Sequence, residues 1–266
     1  MRIQKRVIIY LLVFILILGY VYKSFIVNLE ETKYLSEPSF RNWFGTDLTG
    51  ADIFLKSMNA LGIEIMTLLI ILPIIYFSGL FIGMVLSYFS NDKVREFFLN
   101  LIHYWITLPV LLIALFLLIL IGAGQTNAIA VMIFILIPTQ ALYVYNQLET
   151  VNKNDFVIAK MSYGLSKSYI YIYHLFPNVK KGCTNYTLAR MPEILMMNLS
   201  LNFLGLGVQP PNASFGRLLF DGLSFMFSAW WMWVFPVTII MVIFVSANFL
   251  LENVMVRKVA NGRGRE

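Results

Sequence analysis

The sequence predicts an all-α membrane protein, a polytopic bundle of six transmembrane helices. Composition, the length of the apolar runs and the placement of positive charge all point to it. Of 266 residues, 59% are hydrophobic and 13% are charged, whereas water-soluble domains carry about a quarter charged residues. The mean hydropathy of +0.75 agrees. Six mostly apolar stretches, 7–27, 63–89, 97–121, 126–148, 182–205 and 230–251, reach the ~20 residues that cross about 30 Å of hydrocarbon.

The first stretch follows Arg2, Lys5 and Arg6. It exceeds a secretory core in length and lacks a small-x-small cleavage site, so it is expected to be a retained first span. Residues 28–62 form an outer segment with an amphipathic stretch over 49–61. The five remaining spans carry Pro73, Pro109, Pro138, Pro192 and Pro236 in turn. Proline is common in bilayer helices, and it also kinks them where a bundle must change shape; both readings stay open. Trp230, Trp231 and Trp233 are expected to form an interfacial belt where the sixth span begins.

With the N-terminus inside, 14 of the 20 Lys and Arg residues fall in cytoplasmic segments and 5 in outer ones, with Arg190 inside the fifth span. The positive-inside rule therefore places both termini in the cytoplasm. This distribution, at a pI near 9.3, makes membrane lipid the partner of the basic residues and excludes a nucleic-acid surface. The lone Cys183 cannot form an intramolecular disulfide. His103 and His174 lie in separate segments, Met196 and Met197 read as packing, and no phosphate-binding GxxxxGK[ST] loop occurs. No metal site, catalytic residue or cofactor is expected in this chain.

The cytoplasmic segment 149–181 is the longest inner connection. Asn154 or Asp155 can cap a helix, Gly164 suits the left-handed residue that ends it, Ser166 can cap a second helix and Pro177 is expected to close that one. Phe156, Val157, Ala159, Met161, Tyr163 and Leu165 are too apolar for a solvated connector. Either the membrane surface or a protein partner must cover them.

DFVIAKMSYGLSKSYIYIYHLFPN (155–178) resembles the EAA loop of ATP-binding-cassette importer permeases. Ala159, Gly164, His174, Pro177 and Asn178 fall on family positions; Ile158 stands where the family usually has Glu, and Lys160 where it has Ala. FGTDLTGADIF (44–54) resembles the GTDxxGRDxF segment before the second span of oligopeptide, dipeptide and nickel permeases of the C type, with Ala51 in place of Arg. MPEILMMNLSLNFLGLGVQPPNASFGRLLFDG (191–222) resembles their fifth span and the outer loop after it, with Asn198 where relatives usually have Glu.

The resemblance implies the type I importer permease (MetI-like) fold. Its domains would be a first span with outer segment (1–62), a permease core (63–253) holding the loop 149–181, and a basic cytoplasmic tail (254–266). It implies a multi-pass plasma-membrane subunit that carries small peptides, or a related solute such as nickel or a metal chelate. It also implies a homologous permease subunit, two ATPase subunits that hold ATP-Mg, and an extracellular or periplasmic solute-binding protein as partners. The ATPase-coupling loop would comprise Asp155, Ala159, Lys160, Gly164, His174, Pro177 and Asn178. The outer motif would comprise Gly45, Thr46, Asp47, Gly50, Asp52, Phe203, Gly205 and Gly207. Arg190, Glu193 and Asn198 are candidates for the translocation path. For Arg190 and Glu193, three apart on one helix face, a structural pair remains the alternative. A membrane scaffold descended from permeases is the alternative function, kept open by the altered positions 51, 158 and 198.

Overall fold

The computed structural model describes residues 33–89, 91–153 and 165–262. The expected first span, 7–27, lies outside the described residues. Within them every regular element is helical. Three helices are long and apolar enough to cross a membrane, and a bent pair makes a fourth if it counts as one span.

Helix α1 (Ile53–Tyr88) runs for 36 residues through Pro73. At 1.5 Å per residue it is about 54 Å long, well beyond a hydrocarbon core. The amphipathic stretch expected over 49–61 is therefore no separate element: from Ile53 onward it is the start of this same helix. Asp52 caps it, with Oδ1 accepting the Leu55 N–H at 3.2 Å.

Helices α2 (Asp92–Thr107) and α3 (Val110–Ile121) replace the single span expected over 97–121 and meet at 92°. The break follows from Pro109, whose ring disfavours the helical region for the residue before it. Leu108 is accordingly extended, at φ −76° and ψ 140°. Helix α4 (Gln125–Asn152) carries Pro138 inside it.

From Lys167 the chain is helical in α5 (Lys167–Ile170), capped by the Ser166 side chain as expected. It widens into a π-helical turn over Tyr171–Leu175 and continues as α6 (Phe176–Ala189). Pro177 does not close this helix. It sits in the first turn of α6, at the seam where the ladder changes register, so its missing N–H breaks little.

The stretch 182–205 is also not one helix: α6 stops at Ala189 and α7 (Met191–Phe203) begins after Arg190. Pro192 cannot donate to the carbonyl four residues back, which loosens the ladder at this point. Helix α8 (Phe215–Leu223) and the long α9 (Trp231–Gly262) complete the chain.

Contacts divide the chain into two units. One contains the described residues up to Thr67, Gly122–Thr126 and Leu195–Phe249. Its core is built from Phe54, Met58, Ala60, Phe215, Leu218 and Ile239, with a second cluster around Ile53, Ala229, Trp231 and Met232. The other contains Leu68–Ile121, Asn127–Ile194 and the chain from Leu250. Its core joins Leu80, Val144 and Leu148 to Ile170, Tyr171, Leu175, Val179 and Cys183. There α1 approaches α4 closely at Gly83, where an added Cβ would lie 2.6 Å from Val144.

The outer motif is a tight knot at the start of α1. Asp47 Oδ1 accepts from the Thr49 N–H (2.8 Å), the Thr49 hydroxyl (2.7 Å) and the Ala51 N–H (3.0 Å), and its second oxygen is paired with Lys56. Thr46 bridges to Asp52, and its hydroxyl donates to the Lys33 carbonyl at 2.7 Å. Gly45 has φ +71°, wedged between Ser36 and Trp231, and Gly50 has φ +77°. Trp231 therefore departs from the expected interfacial belt: it is buried and donates from Nε1 to the Thr46 carbonyl at 3.3 Å. Trp230 is half-exposed.

Burial pushes the Asp47 carboxyl up, but the hydrogen bonds from Lys56 and Thr49 and the Lys56 charge outweigh it and hold the group below its ordinary value. A depressed carboxylate contributes stability that is present above its unfolded pKa and lost as pH falls through the folded one. Protease cleavage within residues 36–50 should thus stay slow at neutral pH and accelerate only in acid, below the usual carboxylate range. Asp47→Ala should abolish this protection at every pH, at a cost of about 1–2 kcal/mol.

Candidate functional site

The coupling-loop residues Asp155, Ala159, Lys160 and Gly164 lie outside the described residues. The chain that follows them is bonded to the end of α1. A helix leaves its last carbonyls without partners of their own, and here side chains from residues 167–171 supply them. Tyr171 Oη donates to the Ser87 carbonyl at 2.7 Å, and Lys167 Nζ donates to the Tyr88 carbonyl at 2.6 Å. Lys167 also stands 4.7 Å from the centre of the Tyr88 ring, which meets Tyr171 edge-on at 5.5 Å. The Ser87 hydroxyl donates to Glu149 Oε1 at 2.7 Å, so α4 is held by the same joint. Burial pushes the Tyr171 phenol above its ordinary value, which keeps it a donor at physiological pH. His174 packs its ring against Tyr169 at 5.7 Å, and Asn178 Nδ2 donates to the His174 carbonyl at 2.6 Å. His174, Pro177 and Asn178 therefore shape the π-turn and the start of α6.

Arg190 occupies the break between α6 and α7. Its Nε donates to Glu193 Oε2 at 3.0 Å, while Nη1 donates to the Leu136 carbonyl at 3.1 Å and the Thr139 hydroxyl at 2.5 Å. Its guanidinium lies 5.5 Å from the centre of the Tyr186 ring. Pro138 removes a donor from the α4 ladder, that of the Phe134 carbonyl. Beside it Arg190 donates to the Leu136 carbonyl, and Trp105 Nε1, at 3.4 Å, to that of Ile135. The Arg190 side chain is 9% exposed and that of Glu193 43%. The pair is thus anchored on its cationic side.

Asn198 and the FLGLG motif lie in the other unit. Gly205, at φ +76°, ends α7 in a Schellman arrangement: the Leu206 N–H reaches the Leu201 carbonyl at 2.9 Å and the Gly205 N–H that of Asn202 at 3.0 Å. Asn202 Oδ1 then accepts from the Val208 N–H at 2.6 Å, and an added Cβ at Gly207 would strike the same amide. Phe203 packs edge-on against Phe220 at 5.8 Å. Asn198 donates from Nδ2 to Glu64 Oε2 at 2.9 Å, with both residues buried. Glu64 also borders a small cavity lined by Leu195, Leu199, Phe215, Ile240, Ile243 and Phe244.

Sequence reasoning did not single out Glu64, Ser87, Glu149, Tyr171 or Asn202. For Glu64 a signal exists, since it is the one charged residue in the stretch 63–89. The others are ordinary polar residues whose roles appear only when helix ends meet.

These features define a class: a multi-pass helical membrane protein with a bent helix pair, buried polar groups and a connecting segment bonded to the end of α1. The family of binding-protein-dependent transport system inner membrane components matches residues 79–258, and the chain belongs to it. The dipeptide transport system permease protein DppC of Bacillus subtilis is 27% identical over 85% of this chain and 70% of its own length. The probable D,D-dipeptide transport system permease protein DdpC of Escherichia coli is 24% identical over 85% of this chain and 76% of its own. The oligopeptide transport system permease protein OppC of Mycobacterium bovis is 24% identical over 83% and 76%. The resemblance to C-type peptide permeases, read from three motifs, is borne out by these relatives.

The geometry makes the effects of Arg190 and Glu193 unequal. Arg190→Gln should lower stability in detergent by about 2–3 kcal/mol, because Glu193 and a buried carbonyl both lose a charged donor. Glu193→Gln should cost clearly less. Thermal unfolding of the double variant should show a loss smaller than the sum of the singles.

Proposed function

We propose that this chain is a permease subunit of an ATP-binding-cassette importer that moves small peptides across the cytoplasmic membrane. It forms the path together with a homologous permease subunit. Two separate ATPase subunits hold ATP-Mg, and a solute-binding protein delivers peptide from outside. Residues 7–27, the α2–α3 pair and the α6–α7 pair complete six spans with the three long helices, and both termini lie in the cytoplasm. Family membership and the names of the relatives support the solute class.

The observation that carries the mechanism is the joint at the end of α1. ATP-driven movement is delivered to the loop containing Asp155, Ala159, Lys160 and Gly164. Displacement of that loop pulls on Lys167 and Tyr171, which hold the last carbonyls of α1. Through Ser87 and Glu149 the same pull reaches α4. Arg190 keeps the break in the fifth span seated against Leu136 and Thr139 of α4, and Glu193 and Asn198 are path residues.

Tyr171→Phe keeps the ring packing and removes only the hydroxyl. In proteoliposomes containing the complete complex, peptide uptake per ATP hydrolysed should fall about fivefold to tenfold, the worth of one buried hydrogen bond. Unchanged uptake per ATP would contradict a mechanical role for the joint. Complete absence of uptake by the wild-type complex would favour a scaffold.

Topology is tested on a Cys183→Ser background. A Cys at 212 should react with an impermeant thiol reagent in intact cells, and a Cys at 160 should not.

A further inference from the structure

The buried stripe of α1 changes character along its length. Ser57, Ala60, Glu64 and Thr67 share one face with Ile71 and Ile75, and all six are buried. The part near the outer end is thus polar or small and the rest apolar. The polar part has more acceptors than donors. Glu64 has one hydrogen-bond partner among the described residues, the Asn198 amide, and no cation is paired with it there. Asn198 is fully buried, and with Nδ2 committed to Glu64 its Oδ1 has no partner. One turn further along α1, Gln125 donates to the Thr67 hydroxyl at 2.7 Å while its own Oε1 is unpartnered. The Thr67 hydroxyl spends its proton on the Ile63 carbonyl at 2.8 Å.

A carboxylate inside a bilayer span marks a functional site unless a cation or a full set of donors compensates it. A water molecule could satisfy the amide oxygens but would leave the charge. When Glu64 is ionised, what the site lacks is a positively charged donor of several hydrogen bonds beside the carboxylate and the free Asn198 oxygen. An ammonium group has that chemistry. Leu195, Leu199, Phe215 and Ile240 give the small cavity beside Glu64 apolar walls.

We propose that Glu64, with Asn198, is a specificity-determining subsite that receives the cationic amino group of the transported peptide. This rests on the reading of the chain as a peptide permease. The carboxylate at 64 stands one hydrogen bond from position 198, so the acidic group can be moved across that contact without moving the site.

The test uses the whole complex in proteoliposomes with saturating binding protein and labelled trialanine. Glu64→Gln should lower uptake at least about tenfold, the loss expected for a charge-assisted hydrogen bond, with complex assembly unchanged. Glu64→Gln combined with Asn198→Glu should restore most of it. A tripeptide with a free amino group and photo-leucine as its first residue should cross-link within 57–67 or 195–202, and a tripeptide with photo-leucine last should not. Normal uptake by Glu64→Gln, no restoration by the exchange, or equal cross-linking by both probes would overturn the subsite while leaving the permease function standing. Loss of complex assembly in Glu64→Gln would overturn it too, by assigning the missing cation to a neighbouring subunit. Absence of uptake by the wild-type complex would instead count against the permease reading itself.

Discussion

A backbone carbonyl has no water to turn to in hydrocarbon, so each place where a span bends or stops must find a donor within the protein. Much of this structure follows from that constraint. Beside Pro138, Trp105 and Arg190 donate to the Ile135 and Leu136 carbonyls. At the C-terminal end of α1 the donors are Lys167 and Tyr171. At the C-terminal end of α7, the glycine at 205 lets the chain turn back on its own carbonyls. Irregular backbone is costly here, so the side chains that relieve it become fixed links between segments far apart in sequence.

That gives the motifs a physical meaning. In the outer GTDLTGAD stretch Asp47 bonds the loop and Asp52 caps α1. The FLGLG stretch ends α7 and passes its last amides to Asn202. Both motifs hold the ends of spans. Apart from Asp47 and Asp52, the buried charged groups among the described residues are Glu64 in one unit and Arg190 in the other. Arg190 is tied to four atoms of its surroundings. Glu64 holds one tie among the described residues. This difference in saturation separates a latch from a site awaiting a ligand.

The membrane class, the long apolar helices, the Ser166 cap and the family were legible in the sequence because each depends on local pattern. The Arg190–Glu193 pair was also legible, because its spacing is that of one helix face. Continuity was not. Pro109 and Pro192 break their stretches whereas Pro73, Pro138 and Pro236 ride inside helices, and pattern alone does not distinguish the two cases. Pro177 looked like a terminator because the π-turn before it has no sequence signature. Trp231 looked interfacial by type, yet the Thr46 carbonyl and the Gly45 turn draw it inward. The joint at Ser87, Glu149 and Tyr171 links residues 62 and 84 positions apart. No local reading reaches that far.

The central claim is that the cytoplasmic segment and the end of α1 move as one body. Hydrogen exchange on the complete complex, with and without ATP, measures this directly. The account predicts that amides in 80–89 and 167–175 change protection together when nucleotide binds, and that Tyr171→Phe separates the two responses. A change confined to 167–175 in the wild-type complex, with 80–89 unaffected, would contradict it.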